Sequence, residues 1–116
     1  MITIYHNPRC TKSREGLCEI ENLNQSFTIR KYLDESFTKE ELKEVVKKLN
    51  IKPLELVRTK ESIWIENYKN KQLSDEEIID ALLLHPKLIE RPIVVLGNKA
   101  VIARPKEKIF DILNQI

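Results

Sequence analysis

Apolar positions recur along this chain with two different periods, and the change of period marks its elements. Ile2 to Tyr5 alternates like a short strand, the spacing from about Thr11 to Asn24 is helical, and Ser26 to Tyr32 is strand-like again. A strand, a helix and a strand in this order form a βαβ unit. The N-terminal third of the chain is therefore predicted to be one such unit.

The C-terminal third contains a second strand-forming region. Two apolar runs, Ile93 to Leu96 and Ala100 to Ala103, are separated by Gly97-Asn98, which is typical of a hairpin turn. A closing helix is predicted to begin at Pro105, because proline suits the first helical position. The complete pattern predicts an α/β fold in which a βαβ unit and a ββα unit build one mixed sheet. The apolar residues on one face of the closing helix are Ile109, Ile112 and Leu113.

Helix-start signals dominate the middle of the chain. Thr38 and Glu41 form a capping box ahead of one apolar helical repeat, and Ser74 and Glu77 form another ahead of a second repeat. In such a box each side chain accepts a hydrogen bond from a backbone N–H that the helix leaves unpaired. The two helices are predicted to belong to an insertion, at about residues 33–90, between the two sheet-forming parts.

The rest of this insertion is less regular. A shorter helical piece is predicted from Pro53, and Pro86 ends the second helix after His85. Residues 60–72 are mostly polar and are predicted to form a loop or an irregular helix. Because no repeat, low-complexity tract or linker interrupts the sequence, residues 1–116 are predicted to form a single domain.

Composition and charge exclude several classes of function. The formal net charge is only +2 and its acidic and basic residues are interspersed, whereas a nucleic-acid-binding surface needs a clustered basic excess. No apolar run reaches the length of a membrane span, and the first is too short for a signal peptide. We therefore expect a cytoplasmic protein that binds neither nucleic acid nor membranes. Its two cysteines are expected to be free thiols.

Cys10 is the residue whose surroundings point most directly to chemistry. It follows the turn His6-Asn7-Pro8-Arg9 and stands at the start of the first predicted helix, where backbone N–H groups and the helix dipole stabilise a thiolate. The cations of Arg9, Lys12 and Arg14 are expected to lower the pKa of the thiol further. A structural cysteine is the alternative, but such residues usually have apolar neighbours. The pattern predicts a nucleophile at the carboxyl end of a strand, where α/β sheets bind ligands.

Cys18 lies too far along the same helix to pair with Cys10. Eight residues of helix separate the two by roughly 12 Å, whereas disulfide-linked Cα atoms lie about 4.4 to 6.8 Å apart. Cys18 also points about 100° away from the apolar Leu17. It is therefore predicted to be an unreactive thiol. No metal site is predicted, because no cysteines, histidines and carboxylates have ligand spacing, and His85 is interpreted as a helix-terminal residue.

The motifs together resemble the thioredoxin fold and, within it, the arsenate reductase family that works with glutaredoxin. The resemblance covers nearly the whole chain, although some family members have a longer C-terminal tail. It implies a thioredoxin-like fold with a helical insertion, in which Pro92 is a cis-proline that precedes the third strand and faces the cysteine. The residues that carry it are His6-Asn7-Pro8-Arg9-Cys10-Thr11-Lys12-Ser13-Arg14, His85-Pro86 and Arg91-Pro92-Ile93-Val94-Val95.

In that family three arginines gather around the nucleophilic sulfur, and the resemblance assigns this role to Arg58, Arg91 and Arg104. Guanidinium groups match the oxygens of arsenate, an anion about the size of phosphate, with forked hydrogen bonds. Taken singly, Arg58 could be a solvated charge at a helix end, Arg91 could pair with Glu90, and Arg104 could flank a helix start. All three family positions are arginine, which favours an oxyanion substrate.

The resemblance also implies a mechanism. Cys10 would attack arsenic and expel water, leaving a covalent thiol-arsenate adduct that a second thiol reduces to arsenite. That thiol is implied to be glutathione, followed by glutaredoxin, with no bound cofactor; thioredoxin, mycothiol or bacillithiol are alternative reductants. His6 would stabilise the thiolate as an imidazolium or through a hydrogen bond, or be a turn residue without a catalytic part. Ser13 would either donate to the thiolate or support the start of the helix.

Two other functions remain compatible with this fold. One is a redox regulator of the Spx type that binds RNA polymerase, although such proteins typically have Cys-x-x-Cys where this chain has Ser13. The other is a generic glutathione-dependent thiol reductase, which would not need three arginines. The sequence therefore favours arsenate reduction over both.

Overall fold

The computed structural model describes residues 1–113, and the chain forms two compact units. The first unit comprises residues 1–35 and the chain from Arg91 onward, and the second comprises residues 36–90, close to the predicted insertion. Within the described residues, no helix has both the length and the apolar composition needed to cross a membrane. The helices are α1 (Thr11–Glu21), α2 (Lys39–Leu49), α3 (Ser62–Asn67), α4 (Asp75–Leu84) and α5 (Ile109–Leu113).

A mixed sheet organises the first unit. Its strands are β1 (Ile2–Tyr5), β2 (Phe27–Arg30), β3 (Ile93–Leu96) and β4 (Lys99–Ile102). They lie in the order β2-β1-β3-β4; β1 is parallel to β2 and antiparallel to β3, and β3 is antiparallel to β4. This is the βαβ plus ββα arrangement, so the predicted α/β fold of the thioredoxin-like class is confirmed.

The strand register brings three chain segments to one edge of the sheet. Tyr5, the last residue of β1, lies opposite Arg30 at the end of β2 and opposite Ile93 at the start of β3. The His6 N–H donates to the Arg30 carbonyl at 2.9 Å and so continues the β1–β2 pairing. The turn leading to Cys10, the segment after β2 and the segment before β3 therefore meet at this edge.

Helix α1 packs against the sheet through an apolar face and through one glycine. A Cβ on Gly16 would lie 2.7 Å from Cγ of Pro92, so only glycine lets the helix approach the segment before β3 this closely. The helix that begins at Cys10 is thereby fixed against Pro92. The buried residues of this core are Ile2, Ile4, Ile20, Val94, Ala103, Ile109 and Ile112.

The βαβ unit is shorter at three boundaries than the sequence predicts, one of which is that β2 begins at Phe27 instead of Ser26. Helix α1 ends at Glu21 instead of Asn24, because Asn24 has a left-handed φ of 55° that turns the chain. Strand β2 ends at Arg30 instead of Tyr32. Its extension is prevented by a turn in which the Lys31 carbonyl accepts the N–H groups of Asp34 and Glu35.

The C-terminal ββα segment shows three further differences, one of which is that β4 ends at Ile102 instead of Ala103. Strand β4 begins at Lys99, one residue earlier than predicted, because the tight turn leaves Lys99 opposite Leu96. The prediction that Pro105 is the first residue of the closing helix is wrong. Its ψ of 164° is extended, a 3₁₀ turn follows, and α5 begins only at Ile109.

Both predicted helix starts in the second unit are confirmed. Thr38 precedes α2, and its hydroxyl accepts the Glu41 N–H at 3.1 Å. Ser74 precedes α4 and accepts the Glu77 N–H at 3.1 Å, while the Glu77 carboxylate accepts the Ser74 N–H at 2.9 Å. The capping box at Ser74 is therefore complete.

Arg58 and Glu90 lie on two neighbouring segments of the second unit, outside its helices. Val57 forms an isolated antiparallel bridge with Ile89, the Arg58 N–H donates to the Leu88 carbonyl at 2.7 Å, and the Glu90 N–H donates to the Leu56 carbonyl at 2.8 Å. The predicted helical piece at Pro53 is a 3₁₀ turn, Pro53–Leu56. Helix α3 lies within the stretch predicted to be loop or irregular helix.

Candidate active site

Cys10 is the residue that immediately precedes helix α1, and a closed turn holds it there. The Asn7 carbonyl accepts the Cys10 N–H at 3.0 Å, and Asn7 Oδ1 accepts the Arg9 N–H at 3.0 Å. The thiol is half-buried, forms no disulfide and makes no side-chain capping hydrogen bond. The first turn of α1 contains no acidic residue, so nothing there competes with a thiolate for the positive end of the helix.

The environment of Cys10 favours the thiolate despite partial burial. Burial raises the pKa of Cys10, but a hydrogen bond from the Arg91 side chain, the Ser13 N–H, the charge of Arg91 and the Lys12 N–H lower it. The pKa of Cys10 consequently lies below its ordinary value. The arrangement places a thiol whose ionised form is favoured beside a guanidinium group.

The cations that the sequence places beside Cys10 have other roles in the structure. The Arg14 guanidinium donates to the Pro8 carbonyl at 2.9 Å and to Thr11 Oγ1 at 3.1 Å, which braces the turn. The Lys12 ammonium lies 3.6 Å from a Glu15 carboxylate oxygen. The expected direction of the pKa shift agrees with the structure, but its main positive charge comes from Arg91, a residue remote in sequence.

A buried hydrogen-bond network lies behind the thiol. Ser13 Oγ is 2.7 Å from His6 Nδ1 and accepts the Asn7 N–H at 2.9 Å, and all three residues are buried. Burial, with the charges of Lys31 and Arg14, lowers the pKa of His6, which favours the neutral imidazole over the imidazolium alternative. The Ser13 side chain thus supports the start of the helix, and its backbone N–H acts on Cys10.

Arg91 and Arg104 each precede a proline at the same edge of the sheet. The Arg91–Pro92 peptide bond is cis, and so is the Arg104–Pro105 bond. The Ala103 N–H donates to the Pro92 carbonyl at 2.9 Å, so the two arginine-proline segments lie side by side. The structure therefore brings Arg91 to Cys10 and anchors Arg104 in the neighbouring segment.

Arg58 belongs to the second unit, where it pairs with two carboxylates. Its guanidinium lies 3.1 Å from Glu61 and 3.5 Å from Glu90. The sequence offered Glu90 as a partner for Arg91, whereas in the structure it pairs with Arg58. The spacing of Arg58 and Glu61, three residues apart, is a signal that sequence reasoning missed.

The remaining candidate ligands do not extend this site. Cys18 is a free, exposed thiol two turns along α1. Residues 1–113 contain no group of three or more histidines, cysteines and carboxylates that could hold a metal ion.

The chain matches one protein family model, and it is similar to several known proteins over most of its length. Residues 5–112 match the model of the ArsC family. A protein of Haemophilus influenzae named arsenate reductase is 42% identical over 97% of this chain and 98% of its own length. An uncharacterized Escherichia coli protein, YfgD, is 40% identical over 97% of this chain and 96% of its own length. A solved structure named arsenate reductase, from Vibrio cholerae, matches with a TM-score of 0.91 and 42% identity over 96% of both chains.

Proposed function

This chain belongs to the ArsC family, and from that premise we propose that it is an arsenate reductase, which converts arsenate to arsenite. Relatives with this name match it over nearly their whole length. The observation that carries the proposal is the contact between the Cys10 thiol and the Arg91 guanidinium at the start of α1. A nucleophile beside a fixed forked cation suits an anionic electrophile better than a neutral disulfide.

Arginines would hold the oxyanion during the reaction. Arg91 would bind arsenate oxygens while Cys10 attacks, because charge-assisted hydrogen bonds strengthen as negative charge develops. The Arg104 segment lies beside the Arg91 segment, which supports a second guanidinium at the same edge. The assignment of Arg58 rests on the family resemblance alone.

The proposed chemistry begins with substitution at arsenic. The Cys10 thiolate forms an S–As bond and one arsenate oxygen leaves as water after taking up protons, with no change of oxidation state. A second thiol then attacks the Cys10 sulfur of the adduct, forms a disulfide bond with it and so breaks the S–As bond. Arsenic keeps the electron pair of the broken S–As bond and leaves as arsenite, so two thiols supply the two electrons.

The second thiol would come from outside the chain. The exposed Cys18 follows Cys10 by two helical turns, which does not suit an internal disulfide. We propose glutathione as co-substrate and glutaredoxin, or thioredoxin in its place, as the protein that regenerates Cys10 in the cytoplasm. His6 and Ser13 would act as positioning residues that hold the Ser13 N–H towards the sulfur.

The proposal is tested by arsenate-dependent NADPH oxidation with purified protein, glutathione, glutaredoxin and glutathione reductase. We expect one arsenite per NADPH with the wild-type chain and no turnover with Cys10→Ser. Reduction of a neutral disulfide without arsenate turnover would instead identify a generic thiol reductase. If neither reaction occurs and the protein is retained by RNA polymerase, the regulator alternative is correct.

A further inference from the structure

The second unit contains a cavity of about 230 Å³, and none of the residues that line it takes part in the reaction proposed above. We call it the tryptophan cavity, because Trp64 forms part of its wall. A cavity of about 150 Å³ with an apolar lining is enough to hold one benzene ring. The tryptophan cavity is therefore large enough for a single ring with a short polar extension.

The wall of the tryptophan cavity is apolar and partly aromatic. Trp64, which is only 6% exposed, stacks its ring on that of Tyr68 with the centroids 5.2 Å apart. Leu73 and Ile78 line the same space, and so does Leu54, which remains 48% exposed to solvent. Covering such apolar surface is favourable, and aromatic side chains pair well with further rings. This wall therefore favours a ligand with an aromatic body.

Lys69 and Lys71 supply the charged part of the lining. The Trp64 carbonyl accepts the Lys69 N–H at 3.0 Å, and the Tyr68 carbonyl accepts the Lys71 N–H at 3.1 Å. These hydrogen bonds in the turn after α3 hold the backbone of both lysines next to the aromatic wall. Both side chains are exposed, and within residues 1–113 neither ammonium group forms an ion pair. The cavity therefore keeps two positive charges that no carboxylate of the described residues neutralises.

A neighbouring cavity of about 340 Å³ has a different charge, although it shares Tyr68, Lys71 and Leu73 with the first. Glu77 and Asp80 line this second space, which we call the acidic cavity, and their carboxylates oppose the binding of an anion. Among the residues that the structure describes, no acidic side chain lines the tryptophan cavity. An anionic ligand is therefore expected in the tryptophan cavity and not in the acidic cavity.

We propose that the tryptophan cavity binds a small aromatic carboxylate, a molecule with one ring and a carboxylate a few bonds away from it. The ring would pack against Trp64 and Leu54, and the carboxylate would accept hydrogen bonds from the ammonium groups of Lys69 and Lys71. A bare inorganic anion would leave the apolar wall uncovered, and a neutral ring would leave the lysines without a partner. This binding goes beyond the proposed function and does not depend on arsenate turnover.

The first test compares three probes on the wild-type protein at constant ionic strength. The acid 3-phenylpropionate has both the ring and the charge, its amide 3-phenylpropanamide has only the ring, and inorganic phosphate has only the charge. Trp64 is the only tryptophan of the chain, so its fluorescence and its indole N–H resonance report on the cavity directly. We expect a saturable response to the acid, an affinity for the amide that is about three- to tenfold lower, and no response to phosphate. Absence of a response to the acid, equal affinity for the acid and the amide, or an equal response to phosphate would overturn the proposal.

The second test removes one lining group at a time. Lys69→Gln and Lys71→Gln are each expected to weaken the binding of 3-phenylpropionate about two- to fivefold and to leave the affinity for the amide unchanged, because each removes one exposed ion pair. Leu54→Ala is expected to weaken both probes about two- to fivefold, because it removes part of the apolar wall. All three side chains are exposed, so these variants are expected to fold like the wild type.

Lys47→Gln and Leu84→Ala are the matched controls for these variants. Lys47 is exposed on α2 and lines neither cavity, and Leu84 is exposed and lines only the acidic cavity. Both variants are expected to bind 3-phenylpropionate like the wild type. Weakening by Leu84→Ala in place of Leu54→Ala would place the ligand in the acidic cavity, and equal weakening by Lys47→Gln would show a general attraction to positive charge. Either result would overturn the proposal.

Discussion

Helices α1 and α4 begin in opposite ways, because α1 has no side-chain cap and α4 has a complete one. Helix α4 starts with a complete capping box at Ser74 and three acidic residues in its first turn. Helix α1 follows Cys10, which makes no side-chain capping hydrogen bond, and its first turn contains no acidic residue. Helix α4 satisfies the N–H groups of its first turn with its own side chains, whereas in α1 these groups remain available to stabilise a Cys10 thiolate.

The largest expected effect comes from giving α1 a serine cap like that of α4. Cys10→Ser is expected to abolish arsenate turnover while raising the free energy of unfolding by about 0.5 kcal/mol or more, because serine is a favoured capping residue. The coupled assay and urea denaturation check the two effects. Ser74→Ala is the mirror variant, expected to lose about 1 kcal/mol of stability and to keep its activity.

Cys18→Ser serves as the control for the thiol itself, since it lies on the same helix and is exposed. It is expected to retain most of the arsenate turnover. A folded but inactive Cys18→Ser protein would mean that an internal disulfide resolves the reaction, contrary to the mechanism proposed above.

The next largest effect concerns the cation that meets the thiol. Arg91→Lys keeps the charge but loses the planar fork, and a lost charge-assisted hydrogen bond costs about 1.5 to 3 kcal/mol, so kcat/KM for arsenate should fall roughly ten- to a hundredfold. Exchange with a neutral model disulfide is expected to suffer much less. Arg104→Lys and Arg58→Lys should show the same split between the two assays. Equal losses in both assays would mean that the arginines only lower the pKa of Cys10.

A smaller effect is expected from making the start of α1 resemble that of α4. Lys12→Glu places a carboxylate in the first turn, where an anion interacts with the helix dipole by about 0.3 to 1 kcal/mol, so alkylation of Cys10 should slow about two- to fivefold. Brief labelling with iodoacetamide near neutral pH, followed by peptide mapping, measures the rate. Lys12→Gln separates the gain of the carboxylate from the loss of the lysine. An unchanged rate in Lys12→Glu would show that the helix start does not control the thiol.

The smallest expected effect is a pH dependence of stability that comes from the hydrogen-bond partner of Ser13 and not from that of Ser74. Ser74 bonds to Glu77, whereas Ser13 bonds to His6, whose pKa burial lowers. Below the ordinary histidine pKa of about 6.5 the unfolded chain binds a proton that the folded chain resists, so stability should decline as the pH falls through that value. Urea denaturation across this range measures the slope, and His6→Asn should reduce it. A slope identical in both proteins would contradict the assignment.

Local spacing explains which parts of this molecule are predictable from sequence. The caps at Thr38 and Ser74 need only residues three apart, and the position of Cys10 needs only the strand, turn and helix that surround it. The Arg91 contact with Cys10 depends on the pairing of β1 with β3, across some eighty residues, whereas local spacing points to the cations of Arg9, Lys12 and Arg14. The family resemblance supplied Arg91 where spacing did not.

The wrong prediction at Pro105 and the alternative pairing of Glu90 with Arg91 have equally physical explanations. Pro105 suits a helix start by its φ angle, but ψ is set by the tertiary path, and here it is extended. Glu90 is adjacent to Arg91 in sequence, yet the bridge between Val57 and Ile89 turns it towards Arg58. Side chains that are adjacent in an extended segment point to opposite faces, so neighbours in sequence need not contact each other.

The buried hydroxyl of Ser13 limits the ways in which Cys10 can be oxidised. A cysteine at this position, three residues after Cys10, could form a disulfide with Cys10 within the first helical turn. That disulfide would inactivate Cys10 without any other molecule. The Ser13 hydroxyl is held by His6 and Asn7 and cannot be oxidised to a disulfide. An oxidised Cys10 would therefore be a sulfenic acid or a disulfide whose second sulfur lies outside this helical turn, and a thiol from elsewhere would be needed to restore the thiolate.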